Sequence, residues 1–217
     1  ADLLERYQAL PLPTTKDEHW RFTDLRGFDP DAWSAGAIEQ SEVASLLDLD
    51  VAAAATIDET AVRISEVGSL PEGVRFEPLQ DDNPLVGSLV APDDKLRAHN
   101  AAVWERGLLV HVPAGVELSK PLYLRVASGV PGGSLFWRVL VVADPGSRFT
   151  LVQELTSGDE QLESYVNGVV EVVVRDGAKA EIVNLQRLSS KAWLFASCHA
   201  RVERDAELDW VEGGFGS

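Results

Sequence analysis

The sequence predicts a mainly β protein, a parallel β-helix preceded by a small helical, mixed α+β N-terminal region. Three observations predict it. Apolar and polar residues alternate through the second half in short paired segments, as half-buried strands do. Each pair is split by a turn, and the turn glycines Gly115, Gly146 and Gly177 recur in steps of 31 residues, with Asp205 following after 28. No stretch between these turns has helical periodicity, which disfavours a βαβ arrangement. A fixed period of this size marks stacked repeats. Each repeat has one apolar side that only its neighbours can bury. A β-sandwich would share the alternation but gives no reason for constant turn spacing.

The elements follow in order. Leu3, Leu4, Tyr7 and Leu10 recur at helical spacing and are stopped by Pro11-Leu12-Pro13. Thr14 or Thr15 then offers a cap for a second helix, with Asp17 and Glu18 in its first turn, where the helix dipole favours acids. Ser41 to Leu47 is a further helical candidate, and Val62 and Ile64 suggest a short strand. Leu70 to Pro92 is rich in proline and glycine and reads as an irregular connector. Asp93 or Asp94 caps a helix running to about Trp104. Strand pairs are then expected at Val110–Val112 with Val116–Leu118, at Val139–Val142 with Phe149–Val152, at Val170–Val174 with Ala180–Ile182, and at Ala200–Val202 with Leu208–Trp210.

Charge divides the chain. Residues 1–104 carry 20 acids and 8 bases, residues 105–217 carry 15 and 11, and the whole is −16. After Pro131 only Pro145 remains. A mixed region over 1–104 and a β-helix over 105–217, incomplete at its C-terminal end, are the expected parts. A surface this acidic opposes nucleic acid, whose binders need a basic footprint, and an anionic membrane surface. No apolar run is long enough to cross a bilayer. The single cysteine, Cys198, cannot form an internal disulfide. A cytoplasmic protein is the expectation. The absence of methionine and the Gly-rich final residues suggest a piece of a longer protein.

The run Lys16-Asp17-Glu18-His19-Trp20-Arg21-Phe22-Thr23-Asp24-Leu25, after Leu10-Pro11-Leu12-Pro13, resembles the N-terminal signature of the SufB/SufD family, most of all its SufD branch. Lys16, Glu18, Trp20, Arg21, Thr23, Asp24 and Leu25 carry that likeness. A second stretch runs from Asp94-Lys95-Leu96 through Gly107 to Val112-Pro113-Ala114-Gly115-Val116 and Pro121-Leu122, and a third is the series of coils ending at His199-Ala200-Arg201-Val202. The resemblance implies a right-handed parallel β-helix between helical regions. It also implies a scaffold role in the SUF system of iron–sulfur cluster assembly, with a SufB-like subunit and a SufC-like ATPase as partners. The family's ATPase-docking region and its cysteine and histidine implicated in cluster building have no matching motif here.

Chemistry-bearing motifs are few. There is no Gly-x-x-x-x-Gly-Lys-[Ser/Thr] phosphate loop, Cys-x-x-Cys, His-Glu-x-x-His or Gly-x-Ser-x-Gly. The expectation is a non-enzyme with no catalytic residue, no firmly bound cofactor and no metal site. Cys198 and His199 are adjacent, so strand alternation sends them to opposite faces. Leu194, Ala196, Cys198, Ala200 and Val202 would face inward. His199 would face out with Phe195, Ser197, Arg201 and Glu203, and is the one weak metal candidate. His19, His99 and His111 lie in separate elements. Trp20 and Phe22 are expected to anchor a helix on an apolar surface, with Arg21 pairing an acid. Glu117, Arg148, Glu181 and Glu207 hold comparable places after their turns. Glu181 and Glu207 stacked on adjacent coils would suit a secreted carbohydrate lyase or hydrolase, the competing reading, and a solvated face is the plainer one. Asp81 and Asp82 carry no motif. A plain adhesive or structural solenoid is the third possibility. An uncovered coil end would promote self-association.

Overall fold

The computed structural model describes residues 2–34, 47–66 and 68–215. Ser41–Leu47, a helix candidate, lies outside them except for its last residue. Chain order is helix α1 (Leu3–Ala9), a short 3₁₀ turn (Glu18–Trp20), β1 (Ala53–Ile57), β2 (Val62–Glu66), β3 (Arg75–Pro78) and helix α2 (Lys95–Val103). Then follow β4 (Arg106–Val112), β5 (Leu122–Ser128), β6 (Gly133–Ala143), β7 (Arg148–Ser157), β8 (Ser164–Val174), β9 (Lys179–Arg187), β10 (Ala192–Val202) and β11 (Glu207–Gly214).

Two sheets result, one in the order β10-β8-β6-β4-β3 and the other β11-β9-β7-β5-β1-β2. Strands β4 to β11 alternate between the sheets, so each consecutive pair makes one coil of a parallel solenoid. The β4/β5, β6/β7, β8/β9 and β10/β11 coils stack by in-register parallel pairing. The corner inside each of these four coils uses the same device. Gly115, Gly146 and Gly177 have φ of 71°, 70° and 67°, and Asp205 has 56°. Each sits third in a β-turn closed by the following N–H, for example Ser147 to Asp144 at 3.0 Å. Positive φ there costs an ordinary L-residue through its Cβ. The turns also bond one another along the stack, Gly115 to Pro145, Gly146 to Asp176 and Gly177 to Arg204, at 3.0–3.1 Å. The 31-residue period is therefore the length of a coil.

The core lies inside the coils, with Leu108, Val110 and Val112, then Leu135, Trp137, Val139 and Val141, then Val166, Val170 and Val172 on one sheet. Gly168 is needed for a close approach: a Cβ there would lie 2.3 Å from the Trp137 ring. One inward row of the other sheet turns polar along the stack. Leu124 is followed there by Gln153, Asn184 and Glu212.

Helix α1 forms as expected, capped by the Asp2 carboxylate accepting from Leu4 N–H at 3.1 Å. Asp94 caps α2 through Arg97 N–H at 2.9 Å, and Trp104 ends the helix. Lys95 Nζ donates to the carbonyls of Tyr7 and Leu10, both at 3.0 Å, tying the two helices together. Four expectations need correction. The helix after Thr14 is only the 3₁₀ turn, and the chain beyond Trp20 continues in turns. Val116–Leu118 holds a single bridge, Glu117 to Arg148, and the strand begins at Leu122. The Leu70–Pro92 connector contains β3, which pairs antiparallel with β4. Finally, β1, within the expected first part, pairs parallel with β5. The break in charge and proline near residue 105 is not a break in backbone pairing, since the sheets draw strands from residue 53 onward.

The two ends differ. Antiparallel β2 and β3 close one edge of each sheet. At the other, β10 and β11 have no further partner among the described residues. Strand β8 is buried along its whole length, whereas β10 and β11 are largely accessible.

Candidate functional site

The signature segment is folded onto the outer face of the sheet that contains β8 and β10. Leu25 and Phe28 are buried there with Leu96 and Tyr165, and Trp20, Trp33, Trp193 and Phe195 pack around them. Ring centroids lie 5.0 Å apart for Phe28 with Tyr165, Trp193 and Phe195, and 6.1 Å apart for Trp20 with Phe195. These separations suit edge and tilted aromatic packing, which adds to the area each ring removes from water. Trp20 is thus an anchor on the chain's own coil. Phe22 is not: it is 88% exposed. Arg21 stacks its guanidinium 4.5 Å from the Phe22 ring, and among the described residues it pairs no acid. In this short turn the chain places only Trp20 toward the sheet.

The remaining signature side chains are outward. Lys16, Glu18, Thr23 and Asp24 are exposed. Asp24 pairs with Arg26, whose hydrogen bonds hold its carboxyl below the usual carboxylate range. Beside them runs a groove of about 390 Å³ whose walls include His19, Trp20, Thr23, Arg97 and Ser197.

A buried polar cluster lies under the connector, unforeseen from the sequence. Arg138 and Glu171 are 4% and 2% exposed, with guanidinium and carboxylate 3.7 Å apart. Glu171 accepts backbone N–H groups of Gly87 and Leu89, each at 2.8 Å, and of Val90 at 3.1 Å. Arg138 Nε donates to Asn100 Oδ1 at 2.8 Å, and Asn100 Nδ2 donates to the carbonyls of Asn167 and Trp137 at 3.0 and 3.3 Å. Burial holds the Arg138 pKa below its ordinary value, and the Glu171 charge opposes that shift. Buried charges need such pairing. The cluster straps residues 87–90 and α2 to the sheet, and each of its principal side chains is already engaged.

Cys198 and His199 fall on opposite faces. Register aligns Cys198 with inward Val170, and His199 with outward Glu171. His199 Nδ1–H donates to the Leu89 carbonyl at 3.1 Å, so the imidazole serves the same strap. Cys198 faces the interior but stays accessible, because no strand among the described residues lies beyond β10. Burial by the surrounding coil, and then the Glu212 charge, push its thiol up to about 12. A thiol held protonated is a poor nucleophile and a poor ligand. His19 borders the groove, His111 meets Asp144 at 2.7 Å, and His99 stacks on Tyr7 at 4.0 Å. Among the described residues, no three His, Cys, Asp or Glu side chains come together as a metal site.

The carboxylates after the turns do not pair as a lyase groove requires. Glu207 aligns with Lys179, and Glu181 with Thr150 and Asp209. Lys179 and Glu207 are bonded at 2.6 Å, Arg148 lies 3.8 Å from Glu117, and Glu181 accepts from Thr150 at 2.9 Å. Glu181 and Glu207 thus occupy different rows, and the corner row Glu117, Arg148, Lys179, Glu207 carries an ion pair at each end. No helix among the described residues is long and apolar enough to cross a membrane.

Fold and surface together define a β-solenoid scaffold with an N-terminal segment docked on its outer face. Residues 126–217 match the family described as SUF system FeS cluster assembly, SufBD core domain. Iron–sulfur cluster assembly SufBD family proteins of Staphylococcus epidermidis and Staphylococcus haemolyticus are 31% identical over 129 residues, covering 58% of this chain and 27% of theirs. That of Staphylococcus aureus is 30% identical over the same length and coverage. Through these coils the chain is similar to the SufBD family of iron–sulfur cluster assembly proteins. It spans about a quarter of the length of the curated relatives it matches.

Proposed function

We propose that this chain is scaffold, without catalysis of its own, from a SufD-like subunit of a cytoplasmic SUF complex. In that complex a SufB-like subunit is its partner and a SufC-like ATPase supplies the nucleotide chemistry. The observation that carries this reading is that the SufBD core match falls on the same coils to which the SufD-like signature segment docks through Trp20, Leu25 and Phe28. Its contribution is rigidity. In-register coils with an apolar interior deform little, so displacement imposed by an ATPase at one place is passed along the stack. The iron–sulfur cluster is then cargo of the complex, built elsewhere than on the residues described above.

Co-purification tests it. The full-length protein carrying this segment, tagged and expressed with SufB- and SufC-like subunits, is expected to bring both down at defined stoichiometry. Absence of any such complex, together with cleavage of an acidic polysaccharide by the purified protein, would overturn the reading in favour of a β-helix lyase.

A further inference from the structure

The signature turn has an outward side that the fold does not use. Trp20 goes to the sheet, while Lys16, Glu18, Arg21 and Phe22 stand in solvent. Glu18 and Arg21 are three residues apart across the 3₁₀ turn, so their side chains leave from the same side. Arg21 nevertheless lies on the Phe22 ring, and among the described residues neither it, Lys16 nor Glu18 forms an ion pair. This is unusual for the chain's bases. Most are paired to a carboxylate, from Arg26 with Asp24 to Arg204 with Asp176, and Arg6 and Lys95 are bonded to backbone carbonyls.

Beside this tip lies a groove of about 550 Å³, formed where residues 12–15 enter the turn and residues 24–26 leave it. Leu12, Pro13 and Leu25 give it apolar walls, and Asp24 and Arg26, bonded to each other, complete it. An exposed ring next to an apolar groove that its own chain leaves open suits a two-fold contact. Under such an axis the ring of each copy enters the groove of the other. Charge selects the same occupant. Residues 16–26 hold three bases (Lys16, Arg21, Arg26) and three acids (Asp17, Glu18, Asp24), net zero on a chain of −16. Copies of so acidic a protein repel one another over most of their surface. This balanced patch instead brings an unpaired base and an unpaired acid to the contact.

We infer that the signature turn is a docking surface for a second copy of this chain. Phe22 of each copy enters the other's groove between Leu12 and Leu25, and Arg21 of each faces Glu18 of the other. Aromatic rings and guanidinium groups at the centre of a contact carry much of its binding energy. Stacked on Phe22, Arg21 arrives already oriented, which lowers the ordering cost of binding.

Sedimentation velocity of the chain tests this, with Val211→Lys carried throughout to weaken association at the β11 edge. The parent is expected to form a dimer. Phe22→Ser is expected to raise its dissociation constant about tenfold or more. Arg21→Glu and Glu18→Arg each set like charges against one another, and each alone is expected to be monomeric where the parent is dimeric. Mixed in equal amounts, these two are expected to recover a dimer, because the two substitutions then face each other. All three positions are exposed, so every variant is expected to keep the parent's unfolding transition. A monomeric parent overturns the inference and leaves Phe22 to a partner of another kind. An unchanged dimer in Phe22→Ser, or no recovery on mixing, overturns it equally.

Discussion

Glu171 and Arg138 stand on neighbouring strands, both almost fully buried, and the carboxylate spends its remaining capacity on three backbone N–H groups of the connector. Breaking a buried pair by removing one partner strands the other charge, at a cost of about 3–5 kcal/mol. Glu171→Ala is therefore expected to lower unfolding free energy by about that much in urea denaturation. It is also expected to open residues 85–90 to limited proteolysis. Unchanged stability and cleavage would mean that the strap is held by apolar contacts alone.

Gly168 and Trp137 make a second pair. Gly168→Ala places a methyl where the indole lies and is expected to cost about 1–3 kcal/mol through overpacking. Trp137→Leu carries its own cavity penalty, yet the double variant should lose less than the two costs summed. A thermodynamic cycle with a coupling near zero would remove the explanation.

Much of this architecture is legible in the sequence, and the legible part has a physical reason. Positive φ restricts a corner to few residues, so Gly115, Gly146 and Gly177 announce the coil length. Strand β1 is hidden because its alanines carry little β preference. The strap is hidden because Glu171 is satisfied by backbone groups, which no side-chain pattern reveals. Trp20 and Phe22 look equally suited as anchors, and only the turn geometry separates them. The inward polar row was within reach: Gln153, Asn184 and Glu212 are spaced as the turns are, by 31 and 28 residues.

His99 is buried beside Tyr7 and Tyr165, and burial, with a smaller contribution from Lys95, lowers its pKa to about 4. The unfolded chain, titrating near 6.5, binds that proton more readily. Stability from neutral His99 is thus present above pH 6.5 and is lost as pH falls toward 4. The loss is on the order of 3 kcal/mol. Denaturation across this window should flatten in His99→Gln. An equally steep profile in that variant would assign the acid sensitivity to other groups.

Cys198 is accessible, yet its thiol is pushed up to about 12. Thiolate is the reactive form, and its greater intrinsic nucleophilicity recovers only part of the deficit. Alkylation near neutral pH is expected to be slower than for free cysteine, and Glu212→Gln should speed it. A rate equal to free cysteine would show that the thiol is not restrained.

The uncovered edges of β10 and β11 lie beside Val202, Val211 and Phe215, which are 44%, 50% and 67% exposed. Unpaired strand edges with apolar neighbours promote association. Sedimentation of this chain is expected to show concentration-dependent self-association, weakened by Val211→Lys. A clean monomer at high concentration would contradict it.

The aromatic dock of the signature segment also sets an order of events. Trp20 and Phe28 leave the ribosome early, but Trp193 and Phe195, which receive them, belong to the last strand pair described. Until that pair is synthesised, the first rings have only part of their seat. Closing so long a loop is entropically slow and leaves apolar groups uncovered in the meantime. The N-terminal segment is therefore a late-setting clasp, fastened only after the coils it grips have formed.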